Sequence, residues 1–473
     1  RLPTKPLTNI TNTVLLCCND SSVTGSTVTT GALSSSGDPT ASTDSPFDDP
    51  AGLTFGDSKE GIIKCGSYSG TGSAGLEVNL GWEPQYLMVK RTSGSSSWAV
   101  FDSMRGIVAD GNDPYLYPNL TDAETTHVDR IDLTSTGFKI TATTNMVNGS
   151  GENYVYFAIR RPDGYVGKPP ELGTGVFAMD TGAGSSTIPN FDSGFPVDFA
   201  FSRDIDTVDN WYTFARLTGK GFLYMQGNGT ESDSNDWAWD SNVGWQKGGT
   251  SWGSDKQSWM FKRHAGFDCI TYNGSFVGRQ MPHSLNKTPE MIWVKRRTAG
   301  TARDWMVYHK GLNGGTNPEQ YGLVLNTNAV EVDDLSLWND TAPSSTHFTL
   351  GGSPATNSET IDYIAMLFAS VDGISKCGFY NGSENAQTIT VGFQPRFILI
   401  KRTTSGAGGD DWMVADTLRG IGSGSNDKIL YINDNAAEST QSLLDLTSTG
   451  FTVVADYHEV NHEDHKYIYY AHA

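Results

Sequence analysis

The stretch Pro395, Arg396, Phe397, Ile398, Leu399, Ile400, Lys401, Arg402, followed by a Gly/Ser-rich tip, Trp412, Met413, Val414 and then Arg419, Gly420, decides the fold. It reads as a strand, a turn and a second strand. The same phrase stands at Pro84, Gln85, Tyr86, Leu87, Met88, Val89, Lys90, Arg91, then Trp98 and Arg105, Gly106. It returns at Pro289, Glu290, Met291, Ile292, Trp293, Val294, Lys295, Arg296, then Trp305 and Lys310, Gly311. A worn version runs from Pro196 to Ser202, Arg203, then Trp211 and Thr218, Gly219. One hairpin written four times predicts four copies of one structural unit.

Further signals recur in the same order around each hairpin. Cys65, Cys269 and Cys377 open a first strand, and Phe177 stands in that place in the second copy. An amide residue after the Trp strand precedes a Glu by five positions in every copy: Asn119 and Glu124, Gln226 and Glu231, Asn326 and Glu331, Asn433 and Glu438. The phrase Asp132 to Phe138 is repeated letter for letter as Asp445 to Phe451. The copies therefore fall at 57–164, 165–267 (divergent and Trp-rich), 268–375 and 376–473, after an N-terminal strand and Ser/Thr-rich arm or linker at 1–56. Each copy holds about seven short strands with frequent turn signals, the pattern of an antiparallel sandwich. The expected class is all-β: four tandem antiparallel β-sandwich domains, jelly-roll-like, behind an extended arm. Apolar residues at both parities of Phe397 to Ile400 predict a strand covered on both faces.

Composition agrees. Glycine is abundant at 53 of 473 residues, and charged residues make up only 18%. That mixture suits short strands and many turns. The net charge of -20 argues against a nucleic-acid backbone or an anionic membrane surface as partner. No apolar run approaches the roughly 20 residues needed to span a bilayer, so no membrane insertion is expected. The five cysteines show no metal-type spacing, and the three in matching positions read as small buried side chains.

Candidate chemistry is sparse. His458, Glu459, Val460, Asn461, His462 spells H-E-x-x-H, with His465 a third imidazole. In zinc peptidases that spelling works on a helix. Here it lies in a loop between two strands, so no metal is assigned and His458, His462 and His465 stay as the candidate set. The Lys–Arg pairs cannot form one patch, because adjacent strand residues point to opposite faces; a cation–π or capping role beside the following Trp fits them better. Trp237, Trp239, Trp245, Trp252 and Trp259 crowd into 23 residues with Asp236 and Asp240 among them. Flat rings beside acceptors are what a sugar site needs. On that ground Trp237, Trp239, Trp245, Trp252, Asp236 and Asp240 are candidate glycan contacts, against the alternative that the rings fill a core. Asp110 to Asp113 and Ser425 to Asp427 lack a full calcium-loop set and read as turns. No catalytic residues and no cofactor are expected.

The sequence also resembles a known family. Cys65 to Tyr68, Leu80 to Gln85, Val89 to Arg91, Trp98, Asp102 to Gly106, Leu133 to Phe138 and Tyr154 to Tyr156 are similar to a repeat domain of virion structural proteins in marine tailed phages, cyanophages especially. The resemblance is strongest in the first and last copies. It implies a non-enzymatic virion protein, a tail fibre, spike or surface fibre in host attachment, made in the host cytoplasm and displayed on the particle. Its implied partners are other virion proteins and a host-surface glycan, with a homo-oligomer expected, a trimer if it is a fibre. The alternatives are a capsid decoration or knob protein and a secreted lectin-like carbohydrate-binding protein.

Overall fold

The computed structural model describes residues 61–166, 170, 172–184, 186–234, 237–246, 252–264, 266–298, 300–404, 411–421, 426–454 and 456–473, with strand assignments at Leu16–Cys17 and Ser26–Val28. Those two short strands pair with each other in a unit made of Arg1–Thr54 and Gly167–Pro169. The rest of the expected arm, with Phe47 and Leu53, lies outside the described residues.

The second unit is all-β. Its one α-helical segment among the described residues is the four-residue turn Leu335–Trp338. One strand order recurs in four large antiparallel sheets. In repeat 4 the order is opening strand Ser375–Asn381, closing strand Lys466–His472, central strand Phe397–Arg402, Trp strand Met413–Asp416, then Asp427–Tyr431 and Ser439–Gln441. Repeat 3 follows it with Phe267–Asn273, Asp362–Phe368, Met291–Arg296, Met306–His309, Tyr321–Val324 and Val332–Asp333. Repeat 2 does so with Phe177–Thr181, Lys256–Phe261, Phe199–Asp204, Tyr212–Ala215, Gly221–Tyr224 and Ser232–Asp233. Repeat 1 keeps four: Ile63–Ser69, Asn153–Arg160, Pro84–Arg91 and Ala99–Asp102. A small two- or three-stranded sheet accompanies each, such as Gln387–Thr390, Gly450–Val453 and Leu444–Thr447 in repeat 4.

The central strands behave as their composition requires. Every residue of Phe397–Arg402 and Met291–Arg296 is buried. One face of each points into the repeat's own core, as Ile398 and Ile400 do with Phe451 and Val453 of the small sheet. The other face enters a core shared between repeats, which gathers Phe199 and Phe201, Met291 and Trp293, and Phe397 and Leu399. Aromatic contacts cross the boundaries there: Phe177 to Phe397 at 5.5 Å, Phe261 to Phe368 at 6.0 Å, and Phe368 to Tyr470 at 5.1 Å.

Strand register corrects the alignment of repeat 2. Phe199 pairs with Phe261 as Met291 pairs with Phe368 and Phe397 with His472. Arg203 therefore occupies the lysine position, not the arginine position beside it. By the same register Met179, opposite Trp259, holds the cysteine place, and Phe177 lies two residues before it. Cys269 and Cys377 are buried as expected, but Cys65 is exposed, because the outer face of the repeat 1 sheet is open.

Candidate functional site

The recurrent residues act on backbone. In every repeat the amide side chain accepts the backbone N–H of the recurring Trp: Asn119 Oδ1 from Trp98 at 2.9 Å, Gln226 Oε1 from Trp211 at 2.9 Å, Asn326 Oδ1 from Trp305 at 2.8 Å, and Asn433 Oδ1 from Trp412 at 2.8 Å. The amide thus satisfies a donor that the sheet leaves free where the Trp strand begins. The recurring Glu does not meet the Lys–Arg pair of its own repeat. Glu124 lies 3.2 Å from Arg105, and Glu231 reaches Arg297 of repeat 3 at 2.8 Å.

A second fastening was not singled out in the sequence. Asn148, Asn357 and Asn461 are fully buried at one place in repeats 1, 3 and 4. Each Oδ1 accepts a backbone N–H just past the opening strand, from Thr71, Ser275 and Ser383 at 2.7–2.9 Å. Two stacked tyrosines flank it: Tyr68 and Tyr154, Tyr272 and Tyr363, Tyr380 and Tyr467, with ring centres 5.0–5.3 Å apart. The signal was available as recurrence at equal spacing, but its purpose needs three dimensions.

In repeat 4 that fastening carries the three histidines. Tyr467 Oη donates to the His458 carbonyl at 2.8 Å and accepts the His462 N–H at 2.9 Å. One hydroxyl so closes a five-residue turn and brings the two imidazoles to a stack with centres 4.1 Å apart. His465 joins them, and one ligand-capable atom from each ring lies within 4.8 Å of the others. His458 Nδ1 is buried without a hydrogen-bond partner. Asp456 stands 3.6 Å from His462 Nε2. Burial, with help from the Arg402 guanidinium, holds His465 below the usual imidazole value, in the neutral form that binds metal. The segment contains no helix, and Glu459 accepts from Tyr431 Oη at 2.8 Å. The peptidase arrangement, with that Glu beside a metal-bound water, is therefore not built.

Three tryptophans of repeat 2 are a correction. Trp237, Trp239 and Trp245 are buried in the core between its two sheets. Phe214 packs on Trp237 at 4.5 Å and on Trp245 at 4.7 Å, and Trp239 stacks on Trp245 at 5.1 Å. Trp252 is half-buried and meets Trp237 edge-on at 5.0 Å. A stacking platform must offer a ring face to solvent, and Trp237, Trp239 and Trp245 are buried among neighbouring rings. Asp240 is exposed, and Asp236 lies outside the described residues.

The turn reading of the Asp-rich loops has a structural account. Asp113 Oδ2 accepts the N–H groups of Arg130 and Ile131, both at 2.8 Å. Asp427 Oδ2 does the same for Leu443 and Leu444 at 2.7 and 2.9 Å. Ser425 lies outside the described residues. A cleft of about 220 Å³ between repeats 1 and 3 is lined by ion-paired groups, among them Lys139 with Asp132 at 2.6 Å and Arg297 with Asp110 at 3.3 Å. It reads as an ion-paired seam between repeats.

Residues 2–161 and 205–473 match the model of a family described as a domain of unknown function, DUF7483. No curated protein matches the chain.

Proposed function

We propose that this chain, which belongs to the DUF7483 family, is a non-enzymatic structural protein of a phage particle surface, a fibre or spike used in host attachment. One observation carries the structural half of this reading. The positions that recur between repeats fasten backbone to backbone, through the amide that holds each Trp N–H and the buried Asn between stacked tyrosines. A fold that spends its repeated residues on architecture is suited to display and to mechanical work. The attachment half rests on the residues that resemble marine phage virion repeats. Recognition then belongs to what differs between repeats, chiefly the hairpin tips, since Trp237, Trp239 and Trp245 of repeat 2 are buried.

Purified protein added to host cells before phage is expected to block adsorption. Deletion of residues 57–473 from the phage is expected to abolish adsorption while leaving particles assembled. Wild-type infection by the deletion phage would remove the attachment role. The acidic net charge of -20 equally suits a capsid decoration protein. Immunogold labelling separates the two readings, on the tail or fibres for one and over the capsid lattice for the other.

A further inference from the structure

Repeats 2, 3 and 4 are joined by one contact used three times. The Trp305 Nε1–H of repeat 3 donates to the Tyr224 carbonyl of repeat 2 at 2.9 Å. The Trp412 Nε1–H of repeat 4 donates to the Val324 carbonyl of repeat 3 at 2.9 Å. The Trp211 Nε1–H of repeat 2 donates to the Tyr431 carbonyl of repeat 4 at 2.8 Å. Each acceptor stands two residues before the recurring amide. Two further bonds accompany each of these. Lys295, Lys401 and Arg203 donate to the Asn228, Asn328 and Asn435 carbonyls, two residues after that amide, at 2.9, 3.3 and 3.1 Å. The N–H groups of Glu231, Glu331 and Glu438 donate back to the Arg297, Thr403 and Ile205 carbonyls at 2.9, 3.0 and 2.9 Å. The order 3 to 2, 4 to 3 and 2 to 4 is cyclic. A head-to-tail contact whose rotation closes after three copies makes a ring, and here the ring is made within one chain.

Repeat 1 has the same equipment and is not in the ring. Trp98, Lys90 and Thr92 match the donor side, and Tyr117, Thr121 and Glu124 match the acceptor side. Trp98 is 36% exposed, where Trp211 and Trp305 are fully buried. The sheet face that forms the ring's aromatic centre in the other repeats is open in repeat 1. Ile63 is 46% and Val155 36% exposed, against 4% and 3% for their register counterparts Phe267 and Ile364. Tyr86, Met88, Phe157 and Ile159 on the same face are half-buried. An apolar face of this kind is normally covered in a working protein.

We propose that three copies of this chain associate through repeat 1, closing a true threefold ring on the plan that repeats 2–4 follow internally. In it Trp98 donates to the Tyr117 carbonyl of the next subunit, Lys90 to the Thr121 carbonyl, and the Glu124 N–H to the Thr92 carbonyl. The open sheet faces meet at the axis. The occupant is a second and third copy of this chain because each repeat 1 carries both halves of the contact. The inference rests on this geometry and is independent of where the protein works.

Sedimentation of the purified full chain is expected to give three times the chain mass of 51.2 kDa. Trp98→Glu, at a site exposed in the single chain, is expected to give monomers with an unchanged circular dichroism spectrum, and Trp98→Phe, which removes one hydrogen bond, to raise the dissociation constant about tenfold. Mass-mapped alkylation supplies a second readout. Cys65 should be protected in the wild type and labelled in Trp98→Glu, while Cys269 and Cys377 stay unlabelled in both. A wild-type monomer at micromolar concentration would overturn the proposal. A twofold dimer, or a trimer unaffected by Trp98→Glu, would overturn it as well.

The histidine cluster independently carries a second assignment: the geometry points to a divalent transition-metal site at His458, His462 and His465. Nitrogen-only ligation favours zinc, nickel or copper over calcium or magnesium. Bonds of about 2.0–2.1 Å to each nitrogen require the three rings, whose ligand atoms lie within 4.8 Å of one another, to close further around the ion, and Asp456 stands near as a charge partner. Equilibrium dialysis against zinc chloride at pH 7.5 is expected to give one ion per chain, with a raised melting temperature that a chelator reverses. The His462→Ala and His465→Ala variants are expected to lose both effects. Absence of stoichiometric zinc, or undiminished binding by both variants, would overturn the assignment.

Discussion

At the scale of single residues, the recurring amides are the most economical test of the reading. Asn326 is buried and its Oδ1 accepts the Trp305 N–H. Asn326→Ala leaves that donor without its partner, at an expected cost of about 1–3 kcal/mol. Chemical denaturation should show a lowered midpoint with an unchanged slope. Gly382 tests a different constraint. A Cβ there would run into the His462 carbonyl oxygen, which is backbone and cannot swing aside. Gly382→Ala is expected to destabilise more than Asn326→Ala and, by displacing the His462 end of the turn, to weaken zinc binding. These roles were half legible in sequence. The spacing of Asn326 and Glu331 marked them as a unit, but the bond each makes goes to a residue distant in the chain.

At the scale of the element, the central strands carry buried lysines. Lys295 and Lys401 are fully buried at the ends of strands whose every residue is covered. Burial pushes Lys401 down to about 7 from its ordinary value of 10.5. Between those two values the unfolded chain binds more protons than the folded one, so stability from this group rises with pH across the window and is lost as pH falls toward 7. The denaturation midpoint should therefore rise from pH 7 to pH 9.5, and Lys401→Met should flatten that rise. The sequence placed a cation at the strand end near a Trp, and Lys295 does lie 6.0 Å from the Trp305 ring centre. Its carbonyl partner on the neighbouring repeat has no signature along the chain.

For the whole molecule, the shared core makes repeats 2–4 interdependent. Phe261, Phe368 and Tyr470 come from three different closing strands and lie in one aromatic cluster. Phe368→Ala is expected to cost about 3–5 kcal/mol, and calorimetry should show one transition for the ring, not three. A fragment holding repeat 4 alone would expose Phe397, Leu399 and Tyr470 and should aggregate.

What the sequence determined by itself was the local plan: the all-β class, the order of strands, the hairpin turns and the residues reused from copy to copy. Those follow from alternation, turn chemistry and repetition, which are short-range properties. Tertiary structure alone decided which surfaces the repeats present to one another. It placed the tryptophans of repeat 2 inside a core, since periodicity shows that a ring is on a face but not what covers that face. It brought His458, His462 and His465 together through a tyrosine hydroxyl in place of a helix. It also separated repeat 1 from its three relatives, although all four carry the same Trp and amide, because burial depends on the neighbour and not on the residue.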